Sequence, residues 1–400
     1  MAGAEPRSIT GSSWRRQLVA AASCALLGLG VHAVHALLPA PVAMVGLGFG
    51  LLGAAFMLAW AADAGEAVYS GGLVLAVIAL VTVLPEFIIE IRFAFIQAAE
   101  LVTANLTGAT RLLLAGAATL PLFVALLARA SDRAVATLRL AENRRLELGI
   151  LLLTSLFAVQ LGVRGNVSVF DSLVLIALYV GYARRVQGTH GEKPAVVGVG
   201  AGLLTLPQRH QRAAVASLIV LAGTVVVIVA NPFADALLAT GASVGIDPYL
   251  LIQSVVPVAT EAPEFVVVAV LVANHRPAQG LALFLASSVS QWTLGLGALP
   301  IAYLAGGGGV MMPLAPREQL ELAFTIAMTL FVVAALATLE PKRVDAMLVA
   351  GVFVAQLLYP TALVRLAAAF VLLVFAIDLM VAHRRHLRPI LRAAWGRRVR

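Results

Sequence analysis

The chain of 400 residues is poor in cysteine, histidine and charge. Its single cysteine, Cys24, excludes a disulfide framework and any multi-cysteine metal site. Asp, Glu, Lys and Arg make up 12% of the residues, about half of the roughly 25% found in soluble domains. The 7 histidines sit in the first hydrophobic run, in loops or in the tail, so an intramembrane zinc hydrolase lacks its usual ligands and no enzyme is expected. Hydrocarbon fills the chain instead. Hydrophobic residues reach 61%, in runs of about 20, the length that crosses a bilayer. A soluble globular protein is excluded.

Hydropathy, punctuated by proline, glycine and charge, predicts twelve transmembrane helices. They lie near 17–38, 41–62, 70–97, 101–128, 148–163, 167–183, 213–234, 247–273, 278–304, 319–338, 344–358 and 360–382. Lipid offers a backbone no partner and the runs lack a barrel's alternation, so the expected class is all-α and polytopic. With the N-terminus inside, 23 of the 28 Lys and Arg residues fall on the cytoplasmic side, as orientation by positive charge requires. The formal charge of +8 then reflects orientation and anionic-lipid contact, not nucleic acid. The setting this implies is a cell membrane, expected to be a bacterial inner membrane, with both termini cytoplasmic. The organisation reads as a cytoplasmic segment 1–16, an extra helix 17–38, a first half 41–183, a cytoplasmic linker 184–212, a second half 213–382 and a basic, solvated tail 383–400. A cleaved signal peptide at the first run is the competing reading of the start.

Two segments carry chemistry. The third predicted span contains Thr82-Val83-Leu84-Pro85-Glu86, and the eighth contains Thr260-Glu261-Ala262-Pro263-Glu264. Both read Thr-x-x-Pro-Glu, and the predicted topology runs them in opposite directions, the trace of an inverted repeat with a substrate site near mid-membrane. Proline lacks an N–H, so each helix is expected to open and free the carbonyls of Val81 and Ala259. Each threonine stands one turn before its glutamate, so hydroxyl and carboxylate share a face. Carbonyl, hydroxyl and carboxylate oxygens together suit a hard cation. A charged side chain at that depth is a functional hypothesis by default.

At these residues the chain resembles the cation/calcium exchanger superfamily, and within it the prokaryotic sodium/calcium antiporter branch. The resemblance is strong over roughly 70–125 and 247–304, and includes Ala104 to Arg111 and Ser287 to Pro300. It implies two inverted five-helix repeats plus peripheral helices, alternating access, and Ca²⁺ competing with Na⁺ or H⁺ for oxygen ligands, with no resident cofactor. Carried over by position, Glu86 and Glu264 become the central carboxylates, Thr82, Thr260 and Ser287 hydroxyl ligands, and Gln291 stands where the family has Asp.

The departures point two ways. Ala109 and Leu113 replace a serine and an asparagine of the family pattern, and Glu261 replaces the serine beside Thr260. Arg111, near the midplane, needs a carboxylate, for which Glu86, Glu90 and Glu261 are the candidates. Its guanidinium is expected either to occupy a cation site as a tethered charge or to form a structural ion pair. Glu90 is read as a charge partner or second carboxylate. Na⁺/Ca²⁺ exchange leads the functional readings. H⁺-coupled exchange follows it, since glutamates can take up protons. A non-transporting scaffold with a degenerate site is the third reading.

Overall fold

Backbone groups in lipid must satisfy each other, and the chain does so almost wholly as helix. The computed structural model describes residues 13–69, 83–127, 138–188 and 196–395. The helices are Ser13–Val34 (α1), Ala40–Val68 (α2), Leu84–Phe95 (α3), Ala99–Leu127 (α4), Arg145–Arg164 (α5), Val169–Gly188 (α6), Gly198–Leu203 (α7) and Gln208–Ser243 (α8). Then come Pro248–Ala273 (α9), Pro277–Ser290 (α10), Leu296–Ala305 (α11), Pro316–Ala335 (α12), Arg343–Leu358 (α13), Ala362–Ala382 (α14) and Arg384–Ala394 (α15). A π-helical turn, Gln291–Gly295, joins α10 to α11. Among the described residues, 9 stretches are long and apolar enough to cross a membrane. The third predicted span, 70–97, is described only from residue 83 onward.

The chain divides into two compact units. The first comprises 1–89, 192–247 and 259–279, the second 90–191, 248–258 and 280–400. Each draws on both halves of the sequence. In the first unit α1, α2, α7 and α8 pack on one another. Helices in lipid gain little from burying apolar surface against each other, so close approach through small residues holds them. Gly28 of α1 meets Gly50 of α2 so tightly that a Cβ on Gly28 would stand 2.4 Å from the Gly50 Cα.

The second unit shows how the chain threads. At one end Gln97 donates to the Gly306 carbonyl (3.0 Å), and strand β1 (Asn166–Ser168) pairs antiparallel with strand β2 (Met311–Pro313), Val167 opposite Met312. At the other end the Leu140 N–H reaches the Leu339 carbonyl (2.8 Å), and Arg145 reaches the His386 carbonyl (3.5 Å). Helices α4, α5, α6 and α12 each run between these two ends, so every one crosses the unit once. Gly165 closes α5 at a φ of 71°, a left-handed turn that glycine adopts without strain.

The tail corrects an expectation. Residues 384–394 are not a solvated end but a helix, α15, packed on α5 with Ile390 and Ala394 buried. Its arginines match the solvated reading, but its apolar stripe found a protein surface.

The glycine contact yields a paired test. Gly50→Ala forces the α1 and α2 backbones apart and is expected to cost about 1–3 kcal/mol. Gly30→Ala, whose Cβ meets nothing within 4 Å among the described residues, should leave stability unchanged or raise it by up to about 1 kcal/mol. Thermal unfolding of the detergent-solubilised protein separates them; equal midpoints would refute the packing account.

Candidate functional site

Helix α3 is described from Leu84, which puts Pro85 in its first described turn. Glu86 follows and is buried. Glu90, one turn on, is buried too and accepts a hydrogen bond from Asn105 Nδ2 (3.1 Å). Val81 and Thr82 lie outside the described residues. In the second motif, Thr260 and Glu261 are buried and Glu264 is half-buried. Both motif glutamates belong to the first unit. The expected opening at Pro263 does not occur, because α9 stays helical from Pro248 to Ala273. Neighbouring turns hold the helix, and what proline removes is a single donor, the one the Ala259 carbonyl would otherwise use.

In the second unit, Ser287 is half-buried on α10, and Gln291 begins the π-helical turn. Gln291 is 0% exposed, and among the described residues neither its carboxamide oxygen nor its nitrogen has a hydrogen-bond partner. A buried amide of this kind normally costs about 1–3 kcal/mol, and π-turns cluster at functional sites. Gln291 is therefore a buried amide left unsatisfied by the described residues. Its neighbour Trp292 is core, donating from Nε1 to Thr329 Oγ1 at 2.9 Å. Ala109 and Leu113, one turn apart on α4, are fully buried and offer no oxygen.

Arg111 has a different partner from those expected. It pairs with Glu321 of α12, Nη1 to Oε2 at 2.7 Å, and with none of Glu86, Glu90 or Glu261. Arg111 lies about 200° around α4 from Ala109, so it faces away from the Ala109–Leu113 side. The second oxygen of Glu321 takes Arg365 of α14, Nη1 to Oε1 at 2.5 Å. Gln253 of α9 completes the network. Its amide donates to Glu321 (3.0 Å) and Thr107 (3.2 Å), and its oxygen accepts from Arg365 (3.1 Å). Arg111 also donates from Nε to the Thr107 carbonyl (3.1 Å), and its guanidinium stacks on Phe324, 4.8 Å from the ring centre. Arg111 is 1% exposed and Glu321 0%. Two guanidiniums share one carboxylate, leaving one positive charge in excess within this triad.

The backbone at Gln253 is equally tight. Pro257, four residues on, cannot donate to the Gln253 carbonyl. Gly108 of α4 fills the space, where a Cβ would come within 2.1 Å of that oxygen. Glu321 and Gln253 are the residues that the motif reading passes over. A signal exists: Glu318, Glu321, Thr325 and Thr329 recur at helical spacing along an otherwise apolar stretch, and all four are buried. Among the described residues, no three His, Cys, Asp or Glu side chains converge to hold a resident metal.

Comparison with known proteins bears on the family and the fold. The sodium/calcium exchanger protein family matches residues 39–186 and 214–377. A crystal structure of an H⁺/Ca²⁺ exchanger, CAX, superposes with a TM-score of 0.87 at 29% identity, covering 96% of this chain and 98% of that one. Native YfkE gives 0.60 at 15% identity, covering 91% and 99%. The sodium–calcium exchanger NCX_Mj gives 0.52 at 18%, covering 84% and 100%. At those identities the last two speak for the fold alone. A search of curated proteins gave no match.

The network makes a stability prediction. Glu321→Ala strands two buried guanidiniums and is expected to cost about 3–5 kcal/mol. The triple replacement Arg111→Met, Glu321→Leu and Arg365→Met removes the charges together and should be markedly milder. Unfolding midpoints in detergent decide this; a triple variant worse than Glu321→Ala would refute it.

Proposed function

The chain belongs to the sodium/calcium exchanger protein family, and from that premise we propose that it is a multi-pass secondary antiporter exchanging Ca²⁺ for H⁺ around Glu86 and Glu264. The observation that carries the reading is the pair of Thr-x-x-Pro-Glu segments, both of whose glutamates belong to one packed unit.

The chemistry follows from dielectric cost. An ionised carboxylate out of water is expensive unless a cation or a proton compensates it. Two such groups are neutralised by one divalent cation or by two protons, so each loaded form excludes the other and exchange is enforced. The hydroxyl of Thr260 and the Ala259 carbonyl, deprived of a donor by Pro263, add neutral oxygens of the kind Ca²⁺ prefers.

Protons are favoured over Na⁺ for two reasons. The positions where the family pattern carries serine and asparagine are here buried Ala109 and Leu113, which removes two oxygens a Na⁺ site would use. The superposed exchanger that shares 29% identity is an H⁺/Ca²⁺ exchanger. The Lys and Arg distribution supports cytoplasmic termini, and a bacterial inner membrane is the setting we assign.

Proteoliposomes test the reading directly. ⁴⁵Ca²⁺ uptake is expected under a lumen-acid pH gradient and not under an outward Na⁺ gradient alone. Uptake driven only by Na⁺ would transfer the assignment to Na⁺/Ca²⁺ exchange, and uptake under neither would leave a scaffold. Glu86→Gln and Glu264→Gln should each reduce uptake to the protein-free background. Thr260→Val removes one neutral ligand and should raise the Ca²⁺ concentration for half-maximal uptake about tenfold, the equivalent of about 1.4 kcal/mol.

A further inference from the structure

Helix α15 presents two opposite surfaces. Leu387, Ile390, Leu391 and Ala394 repeat at helical spacing, and the buried pair Ile390 and Ala394 faces α5. The seat is Gly149 of α5, where a Cβ would stand 2.7 Å from the Ile390 carbonyl and 2.8 Å from the Ala394 Cβ. Arg185 of α6 holds the far end of α15, donating to the Ala393 (3.3 Å) and Ala394 carbonyls. Cations are favourable at that negative helix terminus.

These contacts fix where α15 lies. They reach α5 between Arg145 and Gly149, about 6 Å of its axis, yet they extend from His386 to Ala394, about 12 Å of α15. Helix α15 thus packs against the first turns of α5, at one end of the candidate span Glu142–Arg164. It also starts two residues after Ala382, where the candidate span Ala362–Ala382 ends. Both facts place it at headgroup depth.

The exposed surface is cationic. Arg384, Arg388 and Arg392 form one stripe with Arg385 beside it, all exposed, and Trp395 follows at 72% exposure. At the same end of the unit Arg139, Arg184 and Lys342 are exposed as well, while Glu340 and Glu142 are engaged by Arg139 and Arg145. Arginines at this depth pair with phosphodiesters, and tryptophan prefers the interface.

We propose that α15 is a binding surface for anionic phospholipid headgroups, gripped by Arg384, Arg385, Arg388 and Arg392. Lipid bound there is tied to α5 through Gly149 and to α6 through Arg185. This surface is independent of the ion-exchange reading, because it rests on residues of α15, α5 and α6 alone.

The test uses the full chain in phosphatidylcholine vesicles containing a minority of phosphatidylglycerol. The Trp395 signal is the fluorescence difference between the protein and Trp395→Phe. Brominated phosphatidylglycerol should quench that signal at least about threefold more than brominated phosphatidylcholine at equal mole fraction. The preference should vanish in the variant carrying Arg384→Gln, Arg385→Gln, Arg388→Gln and Arg392→Gln, whose changes are all on exposed side chains. It should survive Arg15→Gln with Arg16→Gln, which removes exposed charge from α1. Equal quenching by both lipids, quenching by neither, or a preference that outlasts the four-arginine change would each overturn the proposal.

Discussion

A single carboxylate, that of Glu321, holds two arginines from two other helices, and the second unit is organised around it. Buried charge must be matched, and here Arg111 of α4 and Arg365 of α14 are matched by one acid on α12. The Gln253 side chain adds α9 to the same knot. Helices surrounded by hydrocarbon have little hydrophobic reason to choose one neighbour over another. A polar knot supplies the choice, since any other arrangement would leave an arginine unpaired. The stacking of Phe324 on Arg111 and the Gly108 approach to Gln253 give the knot its close fit.

Helix α4 serves two purposes on opposite faces. One face carries Thr107 and Arg111, committed to the knot; another carries Ala109 and Leu113, apolar where relatives of this pattern carry oxygens. The positive charge at residue 111 is therefore structural in its contacts, and the loss of oxygens on the other face is a separate change. Keeping these apart matters for coupling, because a tethered cation and a missing ligand would alter ion counting in different ways.

The paired motifs were legible because they are local: a proline, a threonine and a glutamate at fixed spacing need no tertiary knowledge. Long apolar runs were legible for the same reason. The partner of Arg111 was not, since residues 111 and 321 meet only through packing, and three nearer acids competed for the same arginine. Glu321 also stands close to the start of a predicted span, where an acid reads as interfacial. The tail was misjudged because its charge density outweighed the four apolar residues on its other side. Helix α9 stays closed at Pro263, as at Pro257, because two missing donors are a small loss within 26 helical residues.

The wide turn at Gln291–Gly295 has a geometric corollary. One residue too many is accommodated there, so everything beyond it is rotated by about a third of a revolution relative to an uninterrupted helix. Helices α10 and α11 thus keep independent angular settings on a shared axis. Phe284 on α10 and Leu299 on α11 are both buried, so a buried row lies on each side of the turn. Trimming the chain by one residue inside that turn would restore a single helical phase and turn the α11 row by about 100° against the α10 row.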